Sequence, residues 1–387
     1  MERKNMADRI RIRNGNVFDP AAGSFERRDL CLADGRIVSE GGFEPDSTID
    51  ADGYLVTPGL IDLHVHAYEK TLPVWHDIDL YELPSGVTTA VDAGTSGPDD
   101  YAYFAGQNRS RRTRMFSLLS PVPEGQTLQP RAEDQNPARW DRDRIRDTIR
   151  SFPEEIVGFK FRQQDKLQEP FGLYEEHLEE GRKLADEYML PLVLHVNDPL
   201  GGAERAAGFL NHGDIYCHMY AGARESILDE QGRIRAGILE ARRRGVLFDA
   251  CNGRGNFLFR NAVPALRQGF FPDIISSDIN YSCYYQQPLT TLPLLMSKYL
   301  AMGMRLEEVL LCVTSTPANW LGHPELASLK EGTEADIAVF SLEKQKVHFA
   351  DCLGETLEGT RLLKTQVTIR GGHIVYTRDE FMAQGRL

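Results

Sequence analysis

Two histidines one residue apart, His64 and His66, end the apolar run Leu60-Ile61-Asp62-Leu63-His64-Val65-His66. Residues i and i+2 of a strand face the same side, so the pair would present two imidazoles together. Neutral imidazole nitrogen ligates zinc readily, at about 2.0–2.1 Å. Alone, such a pair is equally compatible with polar surface. Three further apolar runs end in a polar group: Leu192-Val193-Leu194-His195, Ile215-Tyr216-Cys217-His218 and Ile274-Ile275-Ser276-Ser277-Asp278. Any one of these residues could be a hydrogen-bonded core histidine or a capping aspartate. Four histidines and an aspartate at the strand ends of one sheet are a different matter. Burying them without partners would cost several kcal/mol, so a metal centre is the economical reading.

Lys160, in Val157-Gly158-Phe159-Lys160-Phe161, adds an inward amine. Buried lysines can lose their proton. The neutral amine could ligate weakly, or take up carbon dioxide to form a carbamate able to bridge two metals. A structural lysine paired with a carboxylate is the alternative. Arg162, two residues on, would share its face and could grip a substrate carboxylate bidentately or form a rim salt bridge. Tyr68 could donate to a carbonyl or pack on the rim. Asn252 and Arg254, after the seventh apolar run, are further candidates for substrate contact, and His76 could reach the same place. His177, His212, His323, His348 and His373 fall in helical, turn or terminal contexts and suggest no chemistry. Cys217, next to His218 on a strand, would face the opposite way, toward packing; Cys251 reads similarly.

These side chains need a scaffold that brings many strand ends to one place. Between residues 57 and 325, eight short apolar runs (60–66, 87–93, 114–120, 156–162, 192–196, 215–219, 246–251 and 274–278) alternate with amphipathic stretches such as 142–151, 175–188 and 234–244. Alternating β and α argues for a parallel sheet. Eight strands in about 270 residues suit a (β/α)8 barrel, whose functional face is the C-terminal end of its strands. No GxGxxG follows the first strand, which argues against a dinucleotide fold. Both termini read as antiparallel β. Leu30-Cys31-Leu32 meets Ile37-Val38 across Asp34-Gly35, Asn14-Gly15 suggests a turn, and Ile337-Ala338-Val339-Phe340, Val367-Thr368-Ile369 and Ile374-Val375-Tyr376 follow near the end. Neither terminal piece could bury a core alone. One small β-sandwich from 1–56 plus 330–387, beside a barrel over 57–329, is the simplest arrangement; two separate additions to the barrel are the other. The longest loop-like stretch is 124–139.

The whole composition excludes several classes. The chain has 387 residues, 41% hydrophobic and 26% charged, with a formal net charge of −13. That acidity disfavours nucleic acid and anionic membranes as partners. No apolar run approaches the roughly 20 residues that span a bilayer. The start shows no apolar signal segment, and the six cysteines are scattered without a CxxC pair, as in reduced cytoplasmic proteins.

Pro58-Gly59-Leu60-Ile61-Asp62-Leu63-His64-Val65-His66 resembles the first-strand signature of the amidohydrolase superfamily, and Gly86-Val87-Thr88-Thr89 resembles its second strand. The order HxH, Lys, His, His, Asp resembles the binuclear-metal branch that includes dihydroorotase, D-aminoacylase and isoaspartyl dipeptidase. Thr316-Pro317-Ala318 and Glu334-Ala335-Asp336-Ile337-Ala338-Val339 extend the likeness nearly to the end. The resemblance implies a distorted TIM barrel with a small β-sandwich. It also implies two divalent metal ions, with zinc the choice that suits the ligands best. His64 and His66 would hold the more buried ion with Asp278, His195 and His218 the second, and Lys160, carboxylated by carbon dioxide, would bridge both. The words around Lys160, Cys217–Gly222 and Phe248–Phe257 resemble the deacetylase and dihydroorotase-like group, which cleaves acetyl esters of α-hydroxy acids such as acetyl-mandelate. Asn252 and Asn280 stand where that group commonly has histidine, at positions bordering the substrate.

The activity so implied is hydrolysis of an acyl ester or amide of a small carboxylate-bearing substrate, by a metal-bridging hydroxide with Asp278 as proton carrier. A cyclic amide hydrolase of dihydroorotase type is the alternative. Deamination on a single metal fits less well, because superfamily deaminases lack the bridging lysine. A scaffold without metals would have lost ligands that are all filled here. Expected partners are small molecules only, with homo-oligomerisation compatible with the superfamily.

Overall fold

The computed structural model describes residues 9–70, 77–126, 135–164, 174–199, 201–280, 283 and 291–387. His76 and part of the 124–139 loop lie outside the described residues. Seven parallel strands pair in chain order: β6 (Leu60–Val65), β7 (Val87–Ala93), β8 (Arg114–Leu119), β9 (Ile156–Gln164), β10 (Leu192–Asn197), β11 (Ile215–Cys217) and β12 (Leu247–Asp249). The residues expected to form an eighth strand do not form a regular one. Segment 274–279 instead closes the ring through single bridges, Asp249 to Ile274 and Val65 to Ile279. Backbone bonds from Asp278 N to His64 O (2.8 Å) and from His66 N to Ile279 O (3.1 Å) support the closure. A barrel with an irregular last strand is what a polar Ser276-Ser277-Asp278 run produces. Ser276 Oγ donates to Asp249 (2.7 Å) and Ser277 N to Asp62 (3.0 Å), in place of a regular ladder.

Alternation along these strands sorts the side chains. On β10, Leu192, Leu194 and Val196 pack outward in the layer shared with the helices, while Val193 joins Ile61, Leu63, Val91, Leu118 and Ile215 inside the barrel. His195 has the parity of Val193, and Lys160 that of Arg162, because Phe159 and Phe161 go outward. Apolar side chains thus plug one end of the barrel and polar ones emerge at the other. Helices Arg142–Ser151, Tyr174–Tyr188 and Ala236–Arg243 occupy the stretches where helical spacing predicts them.

The terminal segments build one eight-stranded sheet from β1 (Ile10–Asp19), β2 (Ser24–Ala33), β3 (Arg36–Val38), β4 (Ser47–Asp50), β5 (Leu55–Pro58), β13 (Ile337–Ala350), β14 (Thr356–Arg370) and β15 (His373–Thr377). It curls on a core shared by both termini, including Ile10, Ile12, Leu32, Val56, Val339 and Ile369. The hairpin at Asp34-Gly35 forms as expected, with both residues at positive φ (50° and 76°). Asn14-Gly15 is not a turn. It is a bulge within β1, with Asn14 at φ 62°, so the chain twists without reversing. The closing strands extend well beyond the apolar runs 337–340 and 367–369 at their paired ends, because the β13–β14 hairpin continues over helix Leu292–Ala301, where Leu363 N donates to Ser297 Oγ (2.9 Å). Arg114 on β8 ties the barrel to this sheet through Glu334 (2.6 Å) and Asp336 (2.9 Å). No helix among the described residues is long and apolar enough to cross a membrane.

Candidate metal centre

At the strand ends the expected residues converge. Asp278 Oδ1 lies 3.2 Å from His66 Nε2 and 3.5 Å from His64 Nε2. Lys160 Nζ lies 3.3 Å from His64 Nε2, and His195 Nδ1 lies 2.8 Å from His218 Nε2. All six side chains are buried. Arg162 pairs in register with His195 across β9 and β10. His64, His66 and Asp278 have donor atoms mutually within 4.8 Å, the geometry of a group that could hold a metal ion.

The polar strand ends are reached by local distortion. A register shift between Asp62 and Val65 lets His64 turn inward, with its N–H donating to Asp62 Oδ1 (3.2 Å). His218 follows the last residue of β11 at φ 64°, and Asp278 sits at φ 52°, both in the left-handed region that costs non-glycine residues energy. Two glycines make room. A Cβ on Gly94 would lie 2.4 Å from Lys160 Cβ, and one on Gly253 would lie 2.3 Å from Asp278 Oδ2.

Cys217 and Cys251 overturn the expectation that they face away. Alternation on β11 sends Ile215 and Cys217 inward, and the positive φ at His218 brings the next side chain inward as well. Cys217 Sγ therefore sits 3.2 Å from His64 Nδ1, and His64, Cys217, His218 and Cys251 form a second cluster of metal-competent donors.

Electrostatics suit cation binding. Burial, then the Lys160 charge, pushes His64 down to about 4, so its imidazole is neutral and offers a lone pair at neutral pH. Burial likewise holds His195 well below the usual range, helped by His218 and Arg162. For Asp278, burial raises the carboxyl, but the imidazoles of His64, His66 and His218 outweigh it and keep it ionised. His195 Nε2 is buried with no hydrogen-bond partner, as suits a nitrogen whose lone pair serves a cation.

Residues that position the ligands were not legible as such. His66 Nδ1 meets Thr95 Oγ1 (2.8 Å), Thr95 N donates to Asp92 (2.8 Å), and His218 Nδ1 meets the Cys251 carbonyl (2.7 Å), fixing which nitrogens face inward. Asn256 Nδ2 donates to Asp278 Oδ2 (3.2 Å) and Asn256 Oδ1 accepts from Asn197 (2.7 Å). Among the substrate candidates, Arg254 lies exposed on the rim of a cleft of about 790 Å3 that also contains Asp278 and Asn280. Tyr68 is fully buried against Phe104, its hydroxyl donating to Asp100 (2.6 Å). Asn252 is buried beneath the loop and donates to the Tyr299 hydroxyl (3.0 Å).

Comparison with known proteins follows the same lines. No family model matches the chain. A protein named deacetylase from Agrobacterium fabrum is 28% identical over 92% of this chain and 89% of its own length. Another deacetylase, from Enterococcus faecalis, is 27% identical over 83% of this chain and 87% of its own. Crystal structures of an adenine deaminase (TM-score 0.87, 25% identity) and a dihydroorotase (TM-score 0.86, 26% identity) match over 95% and 96% of this chain, and 99% and 98% of theirs. The class these likenesses define is the amidohydrolase superfamily, with its TIM barrel, and the chain is a hydrolytic enzyme of that class. Within it, the sequence likeness over most of the chain is to proteins named deacetylases.

Proposed function

We propose that the chain hydrolyses an acyl ester or amide of a small carboxylate-bearing substrate with the help of two divalent metal ions. The observation that carries this reading is the buried meeting of Asp278 Oδ1 with His64 Nε2 and His66 Nε2 beside Lys160. Imidazole, carboxylate and carbamate together suit zinc. In this reading His64, His66 and Asp278 would hold one ion and His195 and His218 the other, and Lys160, once carboxylated, would be the ligand available to both. Carbamate formation joins Nζ to the carbon of carbon dioxide: the ammonium gives up one proton to become the attacking amine and a second as the N–C bond forms, so a cation beside the ligands becomes an anion. When bound, such ions supply a water of lowered pKa and polarise the scissile carbonyl.

The chain's own groups do the rest. Asp278, ionised and oriented by Asn256, accepts the proton of the attacking water and passes it to the departing oxygen or nitrogen. Arg162, beside His195, and Arg254, on the rim, offer guanidinium groups to the substrate's carboxylate. The net charge of −13 repels polyanions, so nucleic acid is no part of this reading. A cytoplasmic setting belongs to the same proposal. A cyclic amide hydrolase is the second reading, favoured by the close structural match to a dihydroorotase.

The test assays metal-loaded enzyme on acetyl esters and acetyl amides of hydroxy and amino acids, beside dihydroorotate. Turnover of the acyl compounds, reduced about 10²–10⁴-fold in Asp278→Asn, is expected. Turnover of dihydroorotate alone moves the reading to a cyclic amide, and turnover of neither overturns both.

A further inference from the structure

Beside the cleft lies a smaller pocket of about 40 Å3, walled by Phe257, Leu294, Leu295 and Phe349. It shares Arg254 and Cys352 with the cleft, so the two adjoin. Lys298, on helix Leu292–Ala301, lines it with only 5% of its surface exposed. The Lys298 amine rests 3.6 Å from the centroid of the Phe257 ring. Such a contact offsets only part of the cost of burying a charge.

The carboxylate that could answer this amine is engaged elsewhere. Asp351 accepts from the backbone N–H groups of Phe259 (3.1 Å), Leu353 (2.9 Å) and Glu355 (3.0 Å). Among the described residues, no carboxylate oxygen comes within 4 Å of Lys298 Nζ, and Arg254 makes no ion pair. The other titratable groups lining the pocket are His348 and Cys352. A buried amine and a rim guanidinium therefore face one small space without a carboxylate of the described chain to balance them.

We infer that this pocket binds the carboxylate of the substrate, with Lys298 as its specificity-determining partner, Arg254 at its mouth and the body of the acid in the adjoining cleft. The inference rests on the reading of the cleft as a site for acyl derivatives of a carboxylic acid. It gives that acid's charge a place other than the metal ligands. The pocket has room for a carboxylate and little more, so the charged end would enter alone. Burial pushes Lys298 down to about 7, against the raising effect of Asp351. An entering carboxylate would restore the proton, coupling occupancy to a well-defined charge pair.

The test is calorimetric titration of metal-loaded enzyme with phenylacetate and with its neutral counterpart phenylacetamide, at pH 7. The parent should bind phenylacetate at least tenfold more tightly than phenylacetamide. Lys298→Met should remove that preference while leaving amide binding unchanged. Leu294→Trp, which fills the pocket without touching charge, should weaken phenylacetate binding to the same extent and guards against misfolding of the first variant. A preference indifferent to both substitutions would place the carboxylate at Arg162 or the metal ligands and overturn the proposal, as would no preference in the parent. Hydrolysis is not read in this experiment. An enzyme that shows the Lys298-dependent preference but cleaves no acyl compound loses the proposed reaction and keeps the pocket; the reverse result loses the pocket alone.

Discussion

Asp278 shows how tightly single residues are constrained at this centre. Its carboxylate is held by Asn256 on one oxygen and faces two imidazoles with the other, and Gly253 lies so close that a methyl group would meet Oδ2 at 2.3 Å. Gly253 also sits at φ 50°, where a side chain is strained. Gly253→Ala is expected to cut kcat/KM about a hundredfold by displacing Asp278, the loss typical of a misplacement near 1 Å. Steady-state kinetics and a thermal melt check this; an unchanged rate with a lowered Tm would mean that the glycine serves folding alone. The residue types were legible in the sequence, since HxH, the two later histidines and Asp278 all end apolar runs. Their supports were not. Thr95, Asp92 and Asn256 carry no spacing signal and act only through contacts that the fold creates.

At the scale of elements, the strands deliver side chains by alternation until their ends, where alternation stops. The sequence predicts the strands because apolar runs are short and regularly spaced, and it predicts β7 to the residue. It fails at the ends of β11 and segment 274–279, where positive φ at His218 and Asp278 breaks the two-residue period. Cys217, read as a packing residue, consequently lies against His64. Groups that touch the far nitrogen of a ligating histidine fix its ring and tautomer. Cys217→Ala is thus expected to weaken metal retention about 10–100-fold in competition with a chelator. Retention equal to the parent's would return Cys217 to mere packing. The long β13–β14 hairpin escaped notice because the middle of β13, Glu343-Lys344-Gln345-Lys346, is polar and has no buried residue, so it interrupts the apolar pattern between Phe340 and Phe349.

Across the whole molecule, the terminal sheet does more than cap a barrel. Its long hairpin lies on helix Leu292–Ala301, and the turn after β13 walls the pocket that holds Lys298. Burying that amine costs stability in a pH-dependent way. The folded group titrates at about 7 and the same amine in an unfolded chain at 10.5, so the penalty is full below about pH 7 and fades as pH rises toward 10.5. Each tenfold change in proton affinity is worth about 1.4 kcal/mol. Lys298→Met should therefore be more stable than the parent by a few kcal/mol at pH 6, with the advantage shrinking through pH 9 in denaturant titrations. A difference flat with pH would show that the lysine is not desolvated. The proposed pair of ions sharing a carboxylated Lys160 is decided by metal content per chain, measured on protein prepared with zinc and bicarbonate beside Lys160→Ala. About two ions are expected in the parent, falling to one or none in the variant together with loss of hydrolysis, because the ions would lose a shared ligand. One ion or none in the parent, unchanged by the substitution, would contradict it.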